Sequence, residues 1–310
     1  MFTTVTLNPC LDRTAFISGF QFGEFNAVTK SNVDISGKGI NVSVALAQLG
    51  VPTHSVYFNY LNDKDTVPNF LAEKGIEGTG LDVPGSIRVN FKLFDSISHI
   101  MTECNEKGCP VTEEDVKRAY DAIVDQIDKS TAVILTGSVP PGVPTDFYYQ
   151  LILEIKKRGK IAILDADKDL FREGIKACPD FIKPNRSELQ RLCGRELNTL
   201  GEIVGAAKEL IAQGIGHVCV SMGPDGAVLC DKDHVVYAKG ASLEVKGLQG
   251  AGDSLVAGMC MAIAEGLGLE DMLRYAVAAA NGSIIREGTL MCTRENFDFM
   301  LPRVDISVME

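Results

Sequence analysis

Residues 250–254 read Gly-Ala-Gly-Asp-Ser and stand directly before an apolar helical stretch, Leu255 to Ile263. Glycines let backbone N–H groups approach an anion closely, and the N-terminus of a helix adds partial positive charge. An aspartate at that point can take the proton of an attacking hydroxyl. The segment therefore indicates phosphoryl transfer with Asp253 as the base, although Asp and Ser are also ordinary helix caps and Gly-rich turns are common.

A second Gly-rich segment, Ser-Gly-Lys-Gly-Ile-Asn at 36–41, precedes a helical pattern that Gly50 and Pro52 end. We expect a loop that admits a ligand to its backbone, with Lys38 and Asn41 reaching the same cavity. The segment has neither the Walker A spacing nor the dinucleotide G-x-G-x-x-G pattern. Both common nucleotide-binding folds are thereby disfavoured.

Three further segments follow predicted strands. Residues 136–142, which include Ser138, are predicted to form a loop at the end of a strand, where open α/β sheets bind ligands. The alternative is a plain Pro-rich turn without a binding role. Residues 183–189 offer an amine, an amide and a carboxylate, a combination that suits Mg²⁺ and phosphate. Alternatively, Asn185 and Glu188 form an ordinary helix cap. Residues 221–227 join two apolar strands by a Pro-Asp-Gly turn and equally fit an ordinary hairpin.

These segments lie between alternating strand and helix patterns. Such alternation predicts βαβ units around a mostly parallel sheet covered by helices. No repeat or low-complexity linker divides the chain, so we expect a single domain over 1–310. The predicted strands are 132–135, 160–164 and 217–220, and the predicted helices are 111–129, 145–158 and 199–213.

Two segments break the α/β pattern. Apolar residues from Ile87 to Leu93 alternate with Arg88, Asn90 and Lys92, which predicts a strand with one apolar and one basic, hydrogen-bonding face. Residues 12–33 are also strand-like. We expect the segments 12–33 and 87–104 to pair as a small β lid that closes over a ligand, with an amphipathic edge sheet as the alternative.

Composition bounds the remaining possibilities. The 310 residues are 45% hydrophobic, which allows a large core, and the net charge of −11 disfavours nucleic acid or an anionic membrane as a partner. Nine cysteines without a C-x-x-C pair and four isolated histidines indicate neither a disulfide framework nor a zinc site. With no signal-like N-terminus and no apolar run of about 20 residues, we expect a cytoplasmic protein.

The order of the motifs resembles that of the PfkB, or ribokinase-like, family of sugar kinases across essentially the whole chain. Within the family, the segments 6–9, 37–42 and 87–92 are most similar to the branch of 1-phosphofructokinase and tagatose-6-phosphate kinase. Seven motifs in order carry the resemblance: Asn8-Pro9 with Asp12, Gly37-Lys38-Gly39 with Asn41, Arg88-Val89-Asn90, Gly137-Ser138, Lys183-Pro184-Asn185 with Glu188, Ser221-Met222-Gly223, and Gly250-Ala251-Gly252-Asp253.

The resemblance implies a ribokinase-like α/β fold with a small β lid, and transfer of the γ-phosphate of ATP to a hydroxyl of a ketohexose monophosphate. It implies ATP and Mg²⁺ as cofactors, with K⁺ as a further candidate. The implied roles are catalysis by Asp253 with the N–H groups of Gly250, Ala251 and Gly252; substrate binding by Asp12, Gly37, Lys38, Gly39, Asn41, Arg88, Asn90 and Ser138; nucleotide binding by Lys183, Asn185, Ser221, Gly223, Gly226 and Asn281; and metal binding by Glu188.

The sequence departs from the family pattern at two places. Gly247-Leu248-Gln249 stands where a Ser or Asp followed by Thr usually precedes Gly-Ala-Gly-Asp, and Asp165-Ala166-Asp167-Lys168 replaces a more typical Asp-(Thr/Ser)-Ser-Gly. Tagatose 6-phosphate, fructose 1-phosphate and fructose 6-phosphate all remain open as acceptors, and a homodimer through the lid is a further expectation. Two other classes compete: a sensor of sugar phosphate or nucleotide that has lost turnover, and a dehydrogenase, which the missing dinucleotide fingerprint disfavours.

Overall fold

The computed structural model describes residues 1–241, 243, 250–286 and 290–309. The predicted helices and strands are present, and each begins or ends within two residues of its predicted boundary. The strands are β1 (Phe2–Thr6), β2 (Cys10–Ile17), β3 (Val28–Ser36), β4 (Thr53–Tyr60), β5 (Glu77–Val83), β6 (Arg88–Asp95), β7 (Ile100–Asn105), β8 (Ala132–Thr136), β9 (Ile161–Asp165), β10 (Phe181–Ile182), β11 (His217–Ser221), β12 (Ala227–Cys230), β13 (Val235–Ala238) and β14 (Ile306–Met309). The α-helices are α1 (Lys38–Gln48), α2 (Thr66–Glu73), α3 (Glu113–Ile127), α4 (Phe147–Lys157), α5 (Lys168–Gly174), α6 (Arg186–Cys193), α7 (Leu200–Ala212), α8 (Ala251–Glu265), α9 (Leu269–Ile284) and α10 (Arg294–Met300).

Ten strands form the main sheet in the order β14-β13-β12-β11-β10-β9-β8-β1-β4-β5. Every neighbouring pair from β5 to β11 is parallel, whereas β12, β13 and β14 add antiparallel strands at one edge. The central strands β1 and β8 are buried at every position because helices cover both faces of the sheet. Parallel strands direct their carboxyl ends to one edge, and that edge carries the polar loops.

Helix α8 begins where the sequence analysis placed a helix N-terminus. Gly250 precedes it with φ 80°, a left-handed conformation that glycine adopts without strain. The helix is buried from Asp253 to Ala262 and packs against α1 and α9. This burial holds Asp253 in a fixed position at one end of the core.

One sequence interpretation was wrong in detail. The segment 36–41 is not a loop, because β3 extends to Ser36 and α1 already begins at Lys38, with Gly37 alone between them at φ 138°. A Cβ on Gly39 would lie 2.3 Å from Thr6 Oγ1 and 2.5 Å from the Val5 carbonyl. Glycine is therefore needed for the first turn of α1 to pack against β1, and Lys38 and Asn41 project from a helix.

A separate sheet of four strands, in the order β3-β2-β6-β7, contains the two segments that were predicted to pair. Its central pair, β2 and β6, is parallel and its outer pairs are antiparallel. Opposed residues share a face, so Asp12, Asn90 and Asn105 lie on one side, and Val33, Phe91 and Cys104 on the other. The first face is polar and turned toward the main domain, and the second is exposed.

No helix in the described part of the chain is long and apolar enough to cross a membrane.

Candidate active site

The polar loops at the edge of the main sheet surround a cavity of about 660 Å³. Thr6 and Asn8 come from the end of β1, the loop 136–143 from the end of β8, and residues 167–170 from the end of β9. The small sheet closes another side with Arg88, Asn90 and residues 105–107, and Lys38 reaches in from α1. The structure thus brings Lys38, Arg88, Asn90 and Ser138 together, as the sequence predicted for a substrate site.

Asp253 lies in the first turn of α8, is 7% exposed, and is near enough to Lys38 of the cavity wall to be affected by its charge. Asn41 Nδ2 donates a hydrogen bond of 2.8 Å to Asp253 Oδ2, which orients the carboxylate. A Cβ on Gly252 would lie 3.6 Å from Lys183 Nζ, so the ammonium faces the backbone of the helix start. A carboxylate, a lysine ammonium and the first N–H groups of α8 therefore adjoin one another.

Burial raises the pKa of Asp253 above the ordinary value, and the nearby Asp165 raises it further. The cations Lys38 and Lys183 and the hydrogen bond from Asn41 oppose this shift without cancelling it. A carboxylate whose pKa moves toward neutrality is a better proton acceptor. The environment of Asp253 thus fits a general base.

Asp165, at the end of β9, is completely buried and was not predicted as a site residue. Its Oδ1 lies 3.1 Å from Lys38 Nζ and 3.3 Å from Lys183 Nζ. Burial would raise the pKa of Asp165, but the charges of Lys183 and Lys38 outweigh burial and hold it below its usual value. Asp165 therefore holds two lysines from different parts of the chain at the centre of the site.

Arg88 is fixed from three directions. Its Nε donates to the Asn8 carbonyl at 3.3 Å, and its Nη1 donates to Asn90 Oδ1 at 2.9 Å and to the Glu106 carbonyl at 3.0 Å. Each of these partners lies at the rim of the cavity or next to it. A guanidinium held in this way is pre-organised to bind a phosphate with its remaining N–H groups.

Asp12 was predicted to contact substrate, and in the structure it forms a buried ion pair with Lys92. Asp12 Oδ2 lies 2.7 Å from Lys92 Nζ, and Asn90 Nδ2 donates to Asp12 Oδ1 at 2.9 Å. Both side chains of the ion pair are 6% exposed. The pair joins β2 to β6 beneath the cavity, and Asp12 does not line the cavity in this conformation.

A second cleft of about 300 Å³ lies next along the sheet edge, at the ends of β10 and β11. Asn185, Ser221 and Gly223 line it, in agreement with their predicted grouping, together with Arg186 and Arg191. A Cβ on Gly223 would meet no atom within 4 Å, so the backbone is open to a ligand there. These features fit the phosphates and sugar of a nucleotide.

Gly226 and Asn281 do not line either cleft. Gly226 is required for packing, since a Cβ there would lie 2.0 Å from the Ala238 carbonyl. Asn281 lies near the end of α9. Residues 247–249, where the sequence departs from the family pattern, lie outside the described residues.

Glu188 forms a capping box with Asn185: Asn185 N donates to Glu188 Oε2 at 2.8 Å, and Glu188 N donates to Asn185 Oδ1 at 2.9 Å. The described residues contain no group of three or more His, Cys, Asp or Glu that could hold a metal. Mg²⁺ in phosphoryl-transfer enzymes needs only one or two carboxylates, because substrate phosphates and water supply its other ligands. A single carboxylate beside this second cleft is compatible with that requirement.

Sequence patterns did not indicate a site role for four charged residues in or next to the cavity: Lys92, Lys107, Lys168 and Asp165. One signal for Asp165 was present, since it ends an otherwise apolar strand at the sheet edge where ligands bind. Lys92 was noted only as part of a polar face. Nothing in the local sequence indicates that Lys107 lies at the cavity.

The fold and this paired arrangement of clefts define a ribokinase-like kinase. The pfkB family carbohydrate kinase model matches residues 5–296, and the chain belongs to that family. It is 31% identical to a 1-phosphofructokinase of Bacillus subtilis over 99% of both chains. The structure resembles phosphofructokinase-2 of Escherichia coli in complex with potassium, with a TM-score of 0.89, 25% identity, and coverage of 97% of this chain and 98% of the other.

The ribokinase of Thermotoga maritima shares the fold, with a TM-score of 0.81 at 20% identity over 97% of this chain and 99% of that chain. The predicted fold class and family are confirmed. The predicted enzyme class, an ATP-dependent sugar-phosphate kinase, is confirmed as well.

Proposed function

We propose that this kinase transfers the γ-phosphate of ATP to the free primary hydroxyl of fructose 1-phosphate. The observation that carries the proposal is a cavity lined by the fixed guanidinium of Arg88 and by Lys38, whose charge also acts on the buried carboxylate of Asp253. An arginine preset for a phosphate favours a phosphorylated sugar over a free sugar. The name of the Bacillus subtilis relative supports fructose 1-phosphate over tagatose 6-phosphate.

In the proposed reaction, Asp253 takes the proton of the acceptor hydroxyl as its oxygen attacks the γ-phosphorus. The new P–O bond forms in line with the bond to ADP that breaks, and ADP leaves with that bond's electron pair. The N–H groups of residues 250–252 and the ammonium of Lys183 stabilise the charge on the transferred group. Glu188 would hold Mg²⁺, which neutralises phosphate charge when bound.

The remaining predicted residues are assigned by position. Asn41 orients Asp253, whereas Asn90 and Ser138 bind the sugar. Asp12 holds β2 and β6 together through its ion pair with Lys92. Gly37 and Gly39 allow the close packing at the start of α1. Asn185, Ser221 and Gly223 line the nucleotide cleft.

The test is a coupled assay of ADP release with Mg-ATP and fructose 1-phosphate, tagatose 6-phosphate, fructose 6-phosphate or the free sugars, in K⁺ or Na⁺ buffer. We expect the highest kcat/KM with fructose 1-phosphate. Higher kcat/KM with another sugar phosphate would reassign the substrate. Binding of ATP or sugar phosphate without turnover on any of them would favour the sensor. A higher rate in K⁺ at equal ionic strength would add K⁺ as a cofactor.

Replacement of Arg88 by alanine should raise the KM for fructose 1-phosphate by about 10-fold or more, since a charge-assisted, pre-organised phosphate contact is lost. The kcat should change less, because Arg88 is far from the reacting atoms at the other end of the sugar. The measurement is steady-state kinetics with saturating ATP, and Arg118→Ala, on the exposed side of α3, serves as a control. An unchanged KM would remove Arg88 from the phosphate site.

We further propose that two copies of the chain pair through the outer face of the small sheet. Val33 is 51% exposed and Phe91 39% exposed, and they lie in one cross-strand row on that face. Burying such a patch between two copies would remove apolar surface from water. Sedimentation should give a dimer for the wild type and a monomer for Phe91→Asp, and a wild-type monomer at micromolar concentration would contradict the proposal.

A further inference from the structure

Lys168 has an unusual backbone for its residue type. It is the first residue of α5 and has φ 54°, in the left-handed region that side-chain-bearing L-residues rarely adopt. Only two other non-glycine residues in the described part of the chain have positive φ, and neither lines the acceptor cavity. Unfavourable backbone conformations persist where the surroundings impose them, and they concentrate at functional sites.

Neighbouring contacts hold the turn that contains Lys168. Asp167 Oδ1 accepts a hydrogen bond of 2.7 Å from the Lys168 N–H and lies 3.0 Å from Arg191 Nη2 on α6. These contacts tie the turn between β9 and α5 to the next helix along the sheet edge. The side chain of Lys168 is exposed, and its ammonium has no hydrogen bond or ion pair with any described residue.

Lys168 stands between the two clefts. It lines the acceptor cavity, and with Asp167 it also lines a smaller pocket of about 80 Å³ that continues to Glu188 and Arg191. Arg191 in turn lines the nucleotide cleft. A cation without a partner among the described residues is thus placed where a phosphoryl group would pass from the nucleotide to the acceptor.

The sheet order separates Lys168 from the acceptor's own phosphate. Arg88 is bound to the end of β1, whereas Lys168 follows β9, and β8 lies between them. Two strand spacings are about 10 Å. A hexose phosphate anchored on Arg88 would therefore present its far hydroxyl, and not its phosphate, on the side of β9.

We propose that the Lys168 ammonium binds the γ-phosphoryl group of the nucleotide and stabilises its charge during transfer. Lys168 is thereby a catalytic residue of the proposed kinase, additional to Asp253 and Lys183. Its position in the lining of both the acceptor cavity and the smaller pocket supports this role. The inference rests on the proposed function, and the experiment below separates the failure of one from the failure of the other.

Three substitutions separate charge from backbone conformation. K168M removes the charge and keeps a side chain at positive φ, K168G removes the charge and suits the backbone, and K168R keeps the charge. K168G should have a melting temperature equal to or above that of the wild type, so a loss of activity would not reflect unfolding. K176M, at an exposed lysine paired with Glu173, makes the same change in net charge away from the site.

We expect K168M and K168G to lower kcat by about 10-fold, less than the loss of a buried transition-state donor, because solvent screens an exposed charge. Their KM for the sugar phosphate should change by less than about twofold, K168R should recover most of kcat, and K176M should match the wild type. Isothermal calorimetry should show about fivefold weaker binding of a non-hydrolysable ATP analogue to K168M, and unchanged binding of ADP.

Two results would overturn the assignment. Wild-type kcat in both K168M and K168G would show that the ammonium has no part in transfer. A raised KM for sugar phosphate at unchanged kcat would show that Lys168 binds the acceptor instead. An inactive wild type with every acceptor tested would be a failure of the proposed function, and the calorimetric comparison of ATP analogue with ADP would still test the contact of Lys168.

Discussion

Replacement of Asp253 by asparagine should lower kcat by at least about 10²-fold, because loss of a general base typically costs 10²–10⁴ in rate. Asparagine keeps the shape of the side chain and an oxygen to accept the hydrogen bond from Asn41. Binding of ATP and sugar phosphate should therefore be nearly unchanged. Steady-state kinetics and calorimetry of the same preparation measure the two effects. Wild-type turnover in this variant would exclude Asp253 as the base.

The same substitution should make the protein more stable at neutral pH. The folded-state pKa of Asp253 is raised, so its contribution to stability is present below the unfolded pKa and is lost as pH rises through the folded pKa. Above the unfolded pKa, the buried carboxyl of the wild type carries a free-energy cost that the neutral side chain of asparagine lacks. The melting temperature of Asp253→Asn should exceed that of the wild type at pH 7–8, with a smaller difference toward pH 4.

Asp121→Asn serves as the control for both effects, because Asp121 is an exposed acid on α3, with a side chain 56% exposed. Its kinetics and melting temperature should stay close to those of the wild type at every pH tested. A melting temperature of Asp253→Asn below that of the wild type at pH 7 would contradict the inference that the carboxylate is held at a cost to stability.

Replacement of Asp165 by asparagine should have the opposite effect on stability. The carboxylate is completely buried and pairs with Lys38 and Lys183, so its loss leaves two lysine charges without their counter-ion. Removal of one partner of a buried ion pair costs about 3–5 kcal/mol. We expect a value near the lower limit, because the Lys38 side chain is 37% exposed and water can solvate its charge. Urea unfolding at pH 7 measures the change.

The pH dependence gives a second check on Asp165. Its folded-state pKa is lowered, so its stabilising contribution is present above the unfolded pKa and is lost as pH falls through the folded pKa. The difference between wild type and Asp165→Asn should therefore shrink in acid. The double variant Asp165→Asn/Lys183→Met should recover part of the lost free energy of unfolding, since one unpaired buried cation is then removed. Equal urea midpoints for wild type and Asp165→Asn would contradict the role of this ion-pair centre.

Local patterns in the sequence determined much of the architecture. The apolar runs of β8 and β9 and the intervening helices predict a parallel sheet, because burial on both faces requires continuous apolar strands. The alternation in β6 predicts a sheet with two unlike faces, because side chains alternate across a strand. The glycines and aspartate at 250–253 predict an anion site at the start of α8, because backbone freedom and helix polarity are local properties.

The chemistry of the site depends on contacts that local patterns do not contain. Asn41 and Asp253 are 212 positions apart, and Lys38 and Asp165 are 127 apart, yet both pairs are hydrogen bonded. Strand order sets these distances: β1, β8, β9 and β10 are neighbours in space but come from separate parts of the chain. The pairing of Asp12 with Lys92 and the conformation of Lys168 likewise follow from packing between elements. The sequence by itself determined which residues could carry charge and where strands and helices form, and only the tertiary structure decided which charges neutralise one another and which face the cavity.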